Sequence, residues 1–367
     1  MPWAVAVGQI EPLPTTAIFT DGSPAETSLA CGAFTSGRSP ALATPLQSPN
    51  LEVFDMLDLE RLHGIIPPIL TPVAEDGSID LPSLRRLIEF QIGEGVHGIW
   101  VLGTTGEFAS FTRRERAEAI EAAVDQARGR VPVVANISDA ATRLAIENAR
   151  DAAAAGVDAI ALLPPYYYVN EQDELMEHFR ALREAVDLPL LAYNIPQNVK
   201  AKFGVETILR LGAEGVIVGL KDSQNDLDWF RQVMTGARER GIALRGFLGT
   251  RYLIDAGLLA GAHGAIPGIA NVAPRLCVEC YEAARRGDFV AADAATAELI
   301  KVTKLAGLAK GGSATAATFA TMKVALKQMG VLSTGLVTAP LRNLTADEEG
   351  KVAEMVASLG LRTPQRA

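Results

Sequence analysis

Cysteine is scarce in this chain: three in 367 residues, at Cys31, Cys277 and Cys280. That is too few to staple a fold, so a disulfide scaffold is excluded and a reducing compartment, the cytoplasm, is expected. Histidine is almost as rare, with His63, His97, His178 and His263 scattered and none at zinc-like spacing from a partner. No metal site is therefore expected. Positive charge is outweighed, since 34 Lys and Arg face 43 Asp and Glu and leave a formal charge of −9. Broad binding to nucleic acid or to an anionic membrane needs basic surface and is excluded; a local basic pocket for a small acid is not. No apolar run reaches the roughly 18 residues of a membrane helix. The N-terminus lacks the basic start and continuous apolar stretch of a secretory signal. Cys277 and Cys280 form one C-x-x-C, half of a zinc or redox motif. No second pair accompanies it, and Arg275, Glu279 and Tyr281 around it read as ordinary helix.

What is present is core material: 49% hydrophobic against 21% charged residues, ample for a large packed domain. Residues 1–55 stand apart, rich in Pro, Ser, Thr, Ala and Gly and without sustained period. Such a composition buries too little apolar surface to offset ordering, so a largely disordered extension is expected there. A transit peptide is weakly supported by the single Arg38, and Met56 offers an alternative start.

From Leu57 short apolar runs alternate with helical stretches. The strand candidates are Gly64–Leu70, Gly98–Leu102, Pro132–Asn136, Ala159–Leu163, Leu190–Tyr193, Val216–Lys221, Ala243–Leu248 and His263–Ile266. Helical spacing marks Leu84–Gly93, Arg113–Ala127, Arg143–Ala155, Glu171–Ala185, Val205–Leu211, Leu227–Arg238 and Tyr252–Ala260. Asp80 with Pro82 reads as a helix start. Eight strands alternating with helices imply a parallel sheet with right-handed crossovers, and eight is the count that closes a barrel. The rival open sheet lacks its G-x-G-x-x-G after the first strand, where Thr71-Pro72 stands instead. The expectation is an α/β fold: a (β/α)8 barrel over residues 56–285 and a C-terminal helical appendage over 286–367. The appendage holds helices at Phe289–Leu305, Thr315–Met329 and Ala346–Ser358.

In such a barrel the C-terminal ends of the strands build the active site. Lys221 closes the apolar run Val216–Leu220, and alternation puts it on one face with Gly219 and Ile217. If that face points inward, Gly219 clears space beside the amine. Burial would lower the lysine pKa, and a neutral amine attacks carbonyls to form a Schiff base. An inward lysine paired with a carboxylate, or a rim lysine reaching water, would share this sequence. Gly103-Thr104-Thr105-Gly106-Glu107 offers two hydroxyls and flexible N–H groups, a cradle for a carboxylate or merely a tight turn with Glu107 as a helix cap. Tyr193, ahead of Asn194-Ile195-Pro196, is a proton relay or a core tyrosine. The glycine-rich stretch Gly261–Asn271 carries no lysine or arginine, which favours close backbone approach to a ligand over phosphate binding.

Five segments in this order resemble the dihydrodipicolinate synthase and N-acetylneuraminate lyase superfamily. They are Pro68–Pro72, Gly103–Glu107, Pro165-Tyr166-Tyr167, Tyr193–Pro196 and Gly219–Ser223. The resemblance runs from about Leu59 to near the C-terminus. It implies a Schiff-base enzyme acting on pyruvate or another 2-oxo acid plus an aldehyde, with no cofactor or metal. Lys221 would be the Schiff-base lysine and Tyr193 the proton shuttle. Gly103, Thr104 and Thr105 would hold the carboxylate, and the Ile266 carbonyl would face the site. Tyr167 would reach across a dimer interface, so a homodimer or homotetramer is expected. The synthases usually carry an arginine two residues after the proline of the Tyr-Asn-Ile-Pro motif; this sequence has Gln197 and Asn198. The sialic-acid lyases tend to carry Asp-Glu after the seventh strand, where Arg251 and Tyr252 stand. Arg251 or Lys200 would bind a second carboxylate, and Ser223 a substrate hydroxyl. The loss of a bidentate guanidinium tilts the expectation toward an aldolase or lyase over the synthase. A silent barrel that only binds a 2-oxo acid is the reading from another class.

Overall fold

The computed structural model describes residues 59–361; the expectations for residues 1–55 and Met56 lie outside them. The strands are β1 (Gly64–Ile65), β2 (Ile99–Val101), β3 (Val133–Asn136), β4 (Ala159–Leu162), β5 (Leu190–Asn194), β6 (Gly219–Asp222), β7 (Arg245–Leu248) and β8 (Gly264–Ala265). All pairings are parallel, each strand beside the next from β2 to β8, and β8 returns to β1. The ring closes between β1 and β2 through single bonds. Ile65 O accepts from His97 N at 2.8 Å, Pro67 O accepts from Trp100 N at 3.0 Å, and Ile69 N donates to Trp100 O at 2.9 Å. The protein is a (β/α)8 barrel.

The expected first strand, Gly64–Leu70, is shorter in the structure because Pro67 and Pro68 have no N–H to give to a ladder. The sixth begins three residues later than Val216 and runs one residue past Lys221. The sixth keeps its C-terminal end within one residue of Lys221, whereas the first ends at Ile65, five residues before Leu70.

The barrel helices are α1 (Leu81–Gly93), α2 (Arg113–Ala127), α3 (Thr142–Ala155), α4 (Gln172–Ala185), α5 (Pro196–Val199), α6 (Val205–Ala213), α7 (Leu227–Glu239), α8 (Ile254–Leu259) and α9 (Pro274–Arg285). Asp80 caps α1 by accepting from Ser83 N at 3.0 Å, with Pro82 in the first turn. α8 starts two residues after Tyr252, so Arg251 and Tyr252 stay in the loop. Beyond α9 follow α10 (Phe289–Thr303), α11 (Ala314–Gln328) and α12 (Ala346–Ser358), the helices expected of the appendage. Among the described residues no helix is long and apolar enough to cross a membrane.

Cys277 and Cys280 lie inside α9, both buried. Burial pushes the Cys277 thiol well above the usual range, and Cys280 Sγ lies 3.4 Å from Thr296 Oγ1 on α10. Both act as small core residues.

Scattered in sequence, three histidines gather at the N-terminal rim, the end opposite the site. His63 and His97 meet edge-on with ring centroids 5.0 Å apart, and His97 Nδ1 accepts from Ile65 N at 3.1 Å. His263 Nδ1 accepts from Gly246 N, also at 3.1 Å. Gly64 is held here at φ +72, and an added Cβ would collide with the His97 ring. Backbone strain and collision act together, so Gly64→Ala is expected to cost about 3 kcal/mol or more. The urea midpoint reports this; an unmoved midpoint would count against Gly64 as the rim's tight fit.

Candidate active site

Parallel register sets the heart of the site: Tyr193 on β5 pairs with Lys221 on β6, and Lys221 with Phe247 on β7. Alternation sends Lys221 and Tyr193 to one face and their successors, Asp222 and Asn194, to the other. Lys221 is only 2% exposed. Its Nζ stands 4.1 Å from the Tyr193 ring centroid and 4.6 Å from that of Trp100. The two rings meet edge-on at 5.6 Å. Among the described residues Lys221 forms no ion pair, unlike Lys323, so the paired-lysine alternative does not hold. Burial alone lowers its amine to about 7, because an ammonium is poorly solvated there and no carboxylate compensates.

Gly219 does other work than expected. A Cβ there would meet Leu191 side-chain atoms at 3.1 and 3.3 Å and Arg245 O at 3.0 Å. The glycine makes room for Leu191, not for a ligand beside the amine.

Thr104 Oγ1 lies 3.1 Å from the Tyr193 hydroxyl, and the Ser223 hydroxyl is its second partner. Burial raises the Tyr193 pKa and these hydrogen bonds oppose it. Thr105 lies against the loop after β8, 3.4 Å from where a Gly268 Cβ would stand. Gly103 packs on the Trp100 indole, whose Nε1 would be 3.0 Å from a Cβ at that position. Ser223 is fixed by its N–H to Asn194 O at 2.8 Å, and Gly249 leaves room for its hydroxyl. Ile266, just past β8, is buried and donates to Leu248 O at 2.8 Å.

Lys221, Tyr193, Thr104 and Ser223 thus converge. Tyr167 and Arg251 do not join them within the chain. Tyr167 is 71% exposed and meets Tyr168 edge-on at 5.0 Å. Arg251 folds onto its neighbour, 4.5 Å over the Tyr252 ring, and donates to the Tyr252 hydroxyl at 2.9 Å. Lys200 is exposed at the end of α5. Asn198, standing where the guanidinium was sought, is exposed on α5, and its neighbour Gln197 donates to Ser223 O at 2.8 Å.

Three features escaped sequence reasoning. Trp100, a central-strand tryptophan, walls the amine. Asn194 Nδ2 donates to Asp222 Oδ1 at 2.8 Å behind the site, and burial pushes the Asp222 carboxyl up to about 7. Glu107, read as a helix cap, caps nothing: it is buried, its Oε1 2.6 Å from Lys323 Nζ on α11.

The geometry has close relatives. The Dihydrodipicolinate synthetase family profile matches residues 61–359. An uncharacterized DapA-like lyase of Halobacterium salinarum is 34% identical over 300 residues, covering 82% of this chain and 95% of that one. A 4-hydroxy-tetrahydrodipicolinate synthase of Anaeromyxobacter sp. is 41% identical over 234 residues, 64% of this chain and 78% of that one. Among solved structures, the dihydrodipicolinate synthase of Bacteroides thetaiotaomicron superposes with TM-score 0.76 at 33% identity, covering 81% and 98%. YagE, a prophage protein of E. coli K12 solved in complex with pyruvate, gives TM-score 0.76 at 26% identity, covering 82% and 99%.

Proposed function

The chain belongs to the dihydrodipicolinate synthetase family and is a lyase, and on that premise we propose that it forms or cleaves a 2-oxo acid through a Schiff base on Lys221. The observation that carries this is the Lys221 amine: buried, without a counter-ion, near neutral, and beside a phenol linked to Thr104. Lys221 Nζ attacks C2 of pyruvate, and the carbinolamine hydroxyl leaves as water with the proton of the Tyr193 phenol, giving an iminium and a Tyr193 phenolate. Tyr193 takes a proton from C3, giving an enamine whose C3 attacks an aldehyde carbon as Tyr193 returns the proton to the new alkoxide. Water then releases the product and the free amine; cleavage runs in reverse. Splitting a carbanion step this way lowers each barrier. Thr104 and Thr105 hold the carboxylate by hydroxyl and N–H, with Gly103 and the Ile266 carbonyl alongside, and Ser223 meets a substrate hydroxyl. The exposed run Tyr167-Tyr168-Val169 suits burial against a second copy, bringing Tyr167 to the partner's site in a homodimer or a tetramer of dimers.

The aldehyde partner is a 4-hydroxy-2-oxo or 2-oxo-3-deoxy acid fragment in this reading, since Asn198 supplies no guanidinium two residues after Pro196 and the adjacent Gln197 is spent on Ser223 O. Condensation with aspartate semialdehyde is the second reading, favoured by the relatives named as 4-hydroxy-tetrahydrodipicolinate synthases; Arg251 would then have to leave Tyr252 to reach a second carboxylate.

Borohydride reduction in the presence of pyruvate tests the chemistry. The adduct is expected on Lys221, and its rate of formation rises with pH through about 7, where the amine becomes neutral. An adduct elsewhere, or a rate independent of pH across that range, removes the proposal.

A further inference from the structure

The loop that offers Thr104 and Thr105 is bracketed by two non-glycine residues in left-handed backbone, Leu102 at φ 55 and Glu107 at φ 55. Such a pair is uncommon and persists only where neighbours over-determine it. At the Leu102 end, Asn136 Nδ2 donates to Leu102 O at 2.8 Å. At the other, Thr71 Oγ1 donates to Gly106 O at 2.7 Å, and a Cβ at Gly106 would stand 3.0 Å from Ile69 O.

Glu107 is held from outside the barrel. Its Oε1 faces Lys323 Nζ at 2.6 Å, with both side chains essentially inaccessible, and among the described residues neither atom has another partner. Its Oε2 accepts from Thr338 N at 2.8 Å and Thr338 Oγ1 at 2.7 Å. All three groups on Glu107 come from the chain beyond residue 313. Its own backbone N–H returns to Thr104 O at 3.1 Å, so a displacement of Glu107 pulls directly on the threonine that meets Tyr193.

We propose that Lys323 is a positioning residue for the lyase site: by neutralising buried Glu107 from α11, it holds the strained loop in the conformation that receives the substrate carboxylate. This rests on the Schiff-base reading of Lys221. An unpaired carboxylate at this depth would seek water, and the loop would leave its bracket. Ground-state carboxylate binding then suffers before the chemistry at Lys221, which sits on a different strand.

The test reads pyruvate trapping on Lys221 against pyruvate concentration in the full chain, in Lys323→Met, in Glu107→Gln and in both combined. Lys323→Met is expected to raise half-saturating pyruvate about tenfold while the rate at saturation stays within about twofold. The combined variant leaves no unpaired charge and is expected to regain most of the affinity. Half-saturation within about twofold of the parent in folded Lys323→Met, or equal losses in both parameters, overturns the proposal. Should Lys323→Met fail to fold, Thr338→Val takes its place with an expected rise of about threefold and the same criterion. Hydrogen exchange at the amides of 103–107 is read on the same proteins. Acceleration there beyond that of the rest of the fold is expected, and its absence overturns the proposal. A parent that gives no adduct counts against the Schiff base, and exchange then decides the anchor by itself.

Discussion

Replacing Lys221 with methionine is expected to abolish pyruvate trapping and to make the fold more stable. The catalytic loss follows from removing the group proposed to form the covalent bond, and kcat/KM should fall by about 10⁴-fold or more. The gain in stability follows from the amine's depressed pKa of about 7 against the ordinary 10.5. Between these values the unfolded chain binds the proton and the folded chain does not, so stability rises with pH across that window. Below about 7 both states carry the proton, and the folded state bears the full penalty of a buried ammonium, about 3–5 kcal/mol. Methionine has similar length and no charge. The variant should therefore exceed the parent most clearly at pH 6, with the gap closing toward pH 10. Thermal melts across this range check it. A variant less stable than its parent at pH 6 would mean that Lys221 is comfortably solvated, and the reading of its reactivity would fall with it.

Tyr193→Phe is expected to keep the fold and lose the turnover. Phenylalanine retains the edge-on contact with Trp100 and the ring beside Lys221 Nζ, while the hydroxyl that meets Thr104 and Ser223 is gone. Loss of a placed proton carrier lowers kcat by about 10²–10⁴-fold. Iminium formation needs less of that help, so borohydride should still mark Lys221, more slowly. Exchange of pyruvate methyl protons with deuterated water, which reads enamine formation, should drop with kcat. Exchange at the parental rate would move the proton relay to another group.

What could be read in the sequence was what is local. An apolar run ending in Lys221, or a strand ending in Tyr193, declares itself because a parallel barrel places its strand ends at one mouth. The helices of the appendage were equally plain from period. The contacts that complete the site were not, because they join residues far apart in sequence. Trp100 looks like any buried strand residue until Lys221 and Tyr193 are laid against it. Gly219 was credited with space for a ligand because alternation says which face a residue takes, not which neighbour occupies it; Leu191 does. Glu107 was offered as a candidate cap because a place ahead of a helix is a local signal, whereas Lys323 and Thr338 are distant in sequence. Tyr252 was placed at a helix start by period alone, whereas the helix begins at Ile254 and Tyr252 stays in the loop stacked with Arg251.

The tie between Glu107 and Thr338 spans 231 residues, and Lys323 is nearly as remote. On the ribosome the eight strands emerge first, and Glu107 leaves the exit tunnel with nothing to balance it. On the proposed anchoring by Lys323, the loop of Thr104 and Thr105 would take its final shape only when translation of the closing helices is nearly done. A growing chain would thus be kept from binding a substrate carboxylate there until its synthesis is almost complete, and a fragment cut before residue 314 would carry Lys221 without the proposed anchor for the loop beside it.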